Sequence, residues 1–172
     1  MSAVPSILVG CFGQEAWIRV ESRGTFQNSP GLKEFSKRML QKGFRIFVVD
    51  LEKCELMDST FMGTLAGIAL RLRDIGQGSL EVINVNDRNS NLLESLGLAQ
   101  LFNVRKPGDA NAPPAPDAHA LEEAKPKNPD ASREIILTAH QALVAARSEN
   151  AERFRDVIEY LKQENPKKYS DF

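Results

Sequence analysis

The order of apolar patterns along the chain predicts an α/β fold: a mixed sheet of about four to five strands with helices packed on it, followed by a C-terminal helical extension. Three features carry this expectation. Ile46-Phe47-Val48-Val49-Asp50-Leu51 is an apolar run of strand length without a helical period, which suits an inner strand covered on both faces. Downstream, Phe61, Leu65, Ile68, Leu72 and Ile75 recur at helical spacing, so one stripe of that helix faces a sheet. Upstream, Ala16, Ile18 and Val20 alternate with Trp17, Arg19 and Glu21, the pattern of a strand with one buried face.

The elements follow in order. Ser6-Ile7-Leu8-Val9-Gly10-Cys11 reads as a first strand and Gly13-Gln14 as a tight turn into the second. Trp17 falls on the opposite face of that second strand, where it covers a helix, covers the sheet edge or makes a contact surface. Ser29 is a suitable N-cap and Pro30 a suitable first residue for a helix running to about Lys42, with Leu32, Phe35, Met39 and Leu40 on its apolar side and Gly43 ending it. After residues 46–51 a short loop leads to a helix over about residues 59–75, closed by Gly76-Gln77-Gly78. Leu80-Glu81-Val82-Ile83-Asn84-Val85 is the next strand. Asn86-Asp87 caps a short helix that Gly97 terminates, and Leu101-Phe102-Asn103-Val104 is an edge strand.

Residues 1–106 are therefore expected as one domain, residues 107–130 as a Pro/Ala-rich linker and residues 131–165 as a C-terminal helical segment. Asp130 or Ser132 would cap that segment, Pro166 would follow it, and Ser148-Glu149-Asn150 marks a place where it splits. Its discontinuous stripe (Ile136, Leu143, Phe154, Val157, Ile158, Leu161) needs cover, from the domain, a second copy in a homodimer, or another protein.

Composition bounds the function. Formal net charge is −1, with +2 on residues 1–106 and −3 on residues 107–172, so nothing suggests a nucleic-acid or anionic-membrane binder. Cys11 and Cys54 form no CxxC pair and read as buried or half-buried reduced thiols. No apolar run approaches about 18 residues, and the opening Met-Ser-Ala-Val-Pro-Ser is unlike a signal peptide, so a cytoplasmic protein is expected. His119 and His140 have no second His or Cys at ligand spacing, and Asp50, Glu52, Glu55 and Asp58 read as solvated or capping carboxylates, so neither metal nor cofactor is expected.

The local chemistry concentrates where the central strand hands over to the long helix. Asp58 is the natural N-cap, and Ser59 then occupies the first helical position near the positive end of the helix dipole. A phosphate on Ser59 would add a charge of about −1.5 to −2 at pH 7 there, beside the Asp58 carboxylate. By residue type alone, the favoured reading is that Ser59 or Thr60 does no more than help to cap the helix.

Phe44-Arg45-Ile46-Phe47-Val48-Val49-Asp50-Leu51, the loop through Leu56-Met57 and Asp58-Ser59-Thr60-Phe61-Met62-Gly63 together resemble the STAS family of anti-sigma factor antagonists and sulfate-transporter-attached domains. That family's pattern is a strand ending in Asp-Leu, a short loop, then Asp-Ser-Ser/Thr-x-x-Gly opening a helix. Asn91-Leu92-Leu93-Glu94-Ser95-Leu96-Gly97-Leu98 with Leu101-Phe102 is similar to its later helix and exit, so the resemblance spans roughly residues 6–106. It implies a STAS-like mixed sheet and a non-enzymatic regulatory module for signal transduction and transcription regulation. It also implies phosphorylation of Ser59 by a partner serine kinase, which would be a kinase-type anti-sigma factor, reversed by a phosphatase. The implied partner surface is Asp58, Ser59, Thr60, Phe61, Met62 and Gly63 with Gln27, which stands where the family usually carries Asp; Phe61 stands where it carries a small residue. The alternatives are a structural STAS subunit of an ABC-type transporter or signalling scaffold without phosphorylation, and a small-molecule binder at the same helix start.

Overall fold

A computed structural model of the chain describes residues 6–128 and 132–164. The chain opens with an antiparallel pair, β1 (Ser6–Phe12) and β2 (Glu15–Gly24), joined at Gly13, which takes the left-handed φ of 58° that the tight turn needs. Helix α1 (Ser29–Gln41) leads to β3 (Ile46–Asp50), which lies parallel to β2. Strand β4 (Cys54–Met57) delivers the chain to α2 (Ser59–Ile75), and β5 (Ser79–Ile83), α3 (Asp87–Ser95) and the short β6 (Asn103–Val104) complete the parallel part. A 3-10 turn at Ala118–Ala120 precedes β7 (Glu122–Glu123), and α4 (Ser132–Ala146), α5 (Asn150–Arg153) and α6 (Arg155–Glu164) end the described chain. The strand order is β6-β5-β3-β2-β1-β7, with β4 paired to the far end of β2.

The alternation along β2 and β3 sorts the core into two layers. Ala16, Ile18, Val20, Phe47 and Val49 meet Leu32 and Phe35 of α1 and Phe61 and Leu65 of α2 in the main core. Trp17 and Val48 face the other way and pack with Ile83 and Leu121. Trp17 is thus a buried residue of the second layer, covered by the Pro-rich stretch and not by a helix. On the same face Arg19 pairs with the fully buried Asp50 at 3.2 Å and donates a further hydrogen bond to the Pro116 carbonyl. Asp50 also accepts from the Asn84 side chain and the Glu52 amide, so its burial is compensated on every side.

Several local expectations are corrected. Residues 54–57, expected as loop, form β4, because the backbone of β2 beyond Ser22 needs a partner. Asn28 is the residue flanking α1, not Ser29. The Asn28 side chain ties up the loop through the Thr25 amide and Arg23 carbonyl, while the Ser29 hydroxyl donates back to the Thr25 carbonyl. Strand β5 stops at Ile83 because Asn84 turns left-handed with φ 57°. The edge strand expected over residues 101–104 shrinks to Asn103–Val104, since Leu101 and Phe102 donate back to the Leu98 carbonyl. Cys54 is buried as expected, but Cys11, close to the hairpin turn, is exposed. The stretch expected as an extended Pro/Ala-rich linker carries β7, which pairs with β1, and Leu121, which is buried. The helical tail does break near Ser148, and the capping residue proposed at Asp130, like Pro129 and Pro166, lies outside the described residues. No helix among the described residues is long and apolar enough to cross a membrane.

Candidate functional site

Three elements converge at the start of α2. The Asp58 amide donates to the Gly24 carbonyl at 2.8 Å, which anchors the helix start to the end of β2. One Asp58 carboxylate oxygen accepts from the Phe61 amide at 2.8 Å, the N-cap bond expected of this residue; the other accepts from the Phe26 amide at 2.9 Å. A single carboxylate therefore holds both the helix and the loop that carries Phe26 and Gln27. Gln27 is exposed, and so is the Phe26 ring at 45%.

Phe61, bulky where the resemblance has a small residue, fits for a local reason. Its ring lies against Gly24, where an added Cβ would come within 2.6 Å of it. The absent side chain on β2 makes room for the large one on α2. Phe61 is fully buried, and Thr60, Met62 and Gly63 are also buried. The open edge expected of Thr60, Phe61, Met62 and Gly63 is therefore not present; Asp58 and Ser59 are half-buried and Gln27 is the exposed member of the set.

The cover comes from α4. Ser59 Oγ lies 2.9 Å from His140 Nε2, and His140 Nδ1 lies 2.7 Å from the Ile136 carbonyl. Because a carbonyl only accepts, Nδ1 carries the proton, and in the neutral ring Nε2 accepts from the Ser59 hydroxyl. His140 is buried and meets the Phe154 ring edge-on at a centroid distance of 4.9 Å. One turn along α2, Gly63 has no side chain, and a Cβ there would collide with the Ala139 carbonyl. Lys33 of α1 donates to Thr138 Oγ1 at 3.1 Å, and burial lowers its pKa below the ordinary 10.5, against an opposing contribution from Glu134.

Sequence patterns missed His140 as a partner of Ser59, and Phe26 as an exposed aromatic whose amide is bonded to Asp58. One signal was available for His140: it interrupts the apolar face of α4 four residues after Ile136 and three before Leu143. A polar ring on such a face must find a buried partner. The Ser–His contact has the atoms of a nucleophile and base, but its third member is a backbone carbonyl. The groove of about 600 Å³ among α1, α2 and α4 is lined by Lys33, Lys37, Thr64, Ile68 and Thr138, and Ser59 and His140 are not among its lining residues. Among the described residues no group of His, Cys, Asp and Glu is arranged to hold a metal ion.

Comparison with known proteins agrees with this geometry. The STAS domain model matches residues 13–108. The anti-sigma-B factor antagonists of Staphylococcus aureus strains NCTC 8325 and COL are each 35% identical over 77 residues, covering 45% of this chain and 70% of theirs. The crystal structure of a candidate anti-sigma factor antagonist from Thermotoga maritima superposes with a TM-score of 0.52 at 16% identity, over 57% of this chain and 84% of that one, a likeness of fold. With a strand-loop-helix motif in place and a family model covering more than half its length, the chain belongs to the STAS domain family and is similar to anti-sigma factor antagonists.

Proposed function

We propose that this chain is a non-enzymatic regulatory interaction module of the anti-sigma factor antagonist type, acting in the cytoplasm and switched by phosphorylation of Ser59. The observation that carries the reading is the placement of Ser59: it is the first residue of α2, half-buried and outside the core, beside the Asp58 carboxylate. The partner is a kinase-type anti-sigma factor or a related serine kinase, opposed by a phosphatase. Asp58, Ser59 and Gln27 supply the polar contacts, with Phe26 as an aromatic neighbour, while Thr60, Phe61, Met62 and Gly63 set the position of the helix start. Adding about two negative charges beside Asp58 opposes docking through like-charge repulsion and the cost of desolvating them.

Intact mass of the protein from its native cells, before and after phosphatase, tests the reading. A phosphatase-sensitive increment on the peptide containing Ser59 is expected. Its absence under every growth condition, with a Ser59→Asp protein retaining all wild-type partners, would refute it. A scaffold or transporter subunit that is never phosphorylated is the second reading, favoured by the engagement of the Ser59 hydroxyl with His140. Unmodified Ser59 together with a co-purifying membrane transporter would support it.

A further inference from the structure

The tail is not part of what the relatives share. The family model ends at residue 108, and the 77 matched residues are already 70% of the Staphylococcus aureus protein, which leaves no room there for a segment as long as residues 107–172. Yet the α2–α4 contact is among the most intimate in the chain. Gly63 lets the α4 backbone approach so closely that no side chain fits between them, His140 closes over Ser59, and Ala142 and Leu143 reach the main core. Beside this contact the helices are not fully packed, leaving the groove lined by Lys33, Thr64, Ile68 and Thr138. A helix with a small residue opposite Gly63 and a hydrogen-bond acceptor opposite Ser59 is what this face accommodates.

We propose that the face of α2 carrying Ser59 and Gly63 is a helix-docking surface whose resident occupant is the chain's own α4, and that a phosphate on Ser59 expels it. Two arguments join. In the rotamer that holds Ser59 Oγ 2.9 Å from His140 Nε2 no phosphoryl group fits between the two atoms. Modification of Ser59 therefore breaks this contact and sets three bulky oxygens against the α4 face, so docking of α4 and phosphorylation of Ser59 compete. With α4 docked, the hydroxyl is spent on the imidazole and Ser59 is only half-exposed, which hinders its entry into a kinase cleft. Linkage then requires reciprocity: whatever docking of α4 takes from modification of Ser59, modification takes from docking of α4. The tail thereby sets a threshold that the relatives without it lack. The biological meaning rests on Ser59 being the modified residue, but the competition itself does not.

The test uses the full-length chain with phosphoserine installed at position 59 during translation, so it stands whether or not native cells modify the site. Native-state amide hydrogen exchange compares residues 137–143 of α4 with residues 47–49 of β3. Phosphoserine is expected to accelerate exchange in α4 at least tenfold and to leave β3 protected. An unmodified Ala139→Glu chain, which wedges a side chain against Gly63, is expected to give the same pattern. Undiminished α4 protection in the phosphoserine protein would overturn the proposal. So would loss of α4 and β3 protection together in Ala139→Glu, because α4 would then be an inseparable part of the core.

Discussion

Replacing Gly63 with Ala sets two effects of known sign against each other. In a helix interior, alanine is favoured over glycine by about 1 kcal/mol, so α2 alone gains from the change. Against α4 the same methyl is obstructed: it would overlap the Ala139 carbonyl oxygen and lie 2.6 Å from the carbonyl carbon and 2.9 Å from the Ala139 Cβ. The obstacle is backbone, so no rotamer change relieves it and α4 has to move as a body. Overpacking of this kind costs about 1–3 kcal/mol, and that cost falls on the α2–α4 contact. Exchange of amides in residues 137–143 should therefore accelerate by roughly 5- to 140-fold, while β3 amides keep or increase their protection. Amide exchange followed by mass spectrometry on the intact, full-length variant reads both numbers. If α4 protection is unchanged and the melting temperature rises, as for an unobstructed Gly→Ala change, the close approach of the two helices is refuted.

Other perturbations have equally definite outcomes. Gly24→Ala drives a methyl into the Phe61 ring and should destabilise the chain by about 1–3 kcal/mol in urea titrations; restoring stability with a smaller residue at position 61 would confirm the pairing. Asp50→Ala strands the buried Arg19 guanidinium and should cost about 3–5 kcal/mol, against a much smaller loss for the Arg19→Met/Asp50→Leu double variant. Leu121→Ala should red-shift the emission of Trp17, the chain's single tryptophan, by admitting water to the second layer. Burial pushes the Cys54 thiol from 9.0 up to about 11, so the folded chain keeps a proton that the unfolded chain releases. That contribution is complete below pH 9.0 and disappears as pH rises through about 11, and Cys54→Ala should remove this part of the alkaline slope. At pH 8 iodoacetamide should label exposed Cys11 quickly and buried Cys54 only through unfolding.

What could be read in advance was whatever a short stretch decides by itself. The Asp58 cap was legible because a carboxylate stands directly before a helical stripe. The β2 alternation sorted its residues to the right faces, but residues 16–20 are all buried, so both faces and not the expected one are covered. Strand β4 was not, since Cys-Glu-Leu-Met is too short to display a period and its pairing with β2 is set by tertiary geometry. The second layer was half visible: Trp17 plainly pointed away from the first core, but its cover comes from Leu121, more than a hundred residues on in a stretch whose prolines suggest a spacer. The meeting of Ser59 with His140 depends on two surfaces whose complementarity is written only in a missing side chain at Gly63 and a polar ring in an apolar stripe.

Strand β7 has a consequence for how copies of this chain can associate. Its pairing with Leu8 and Val9, with the Ala124 amide bonded to the Ile7 carbonyl, occupies the Ile7–Val9 part of the outer rail of β1. An incoming strand from another molecule would find that rail occupied and the adjacent carboxylates of Glu122 and Glu123 in its way. The chain thus brings its own terminator to the Ile7–Val9 part of β1, and edge-to-edge strand pairing there is closed as long as those few residues stay in place.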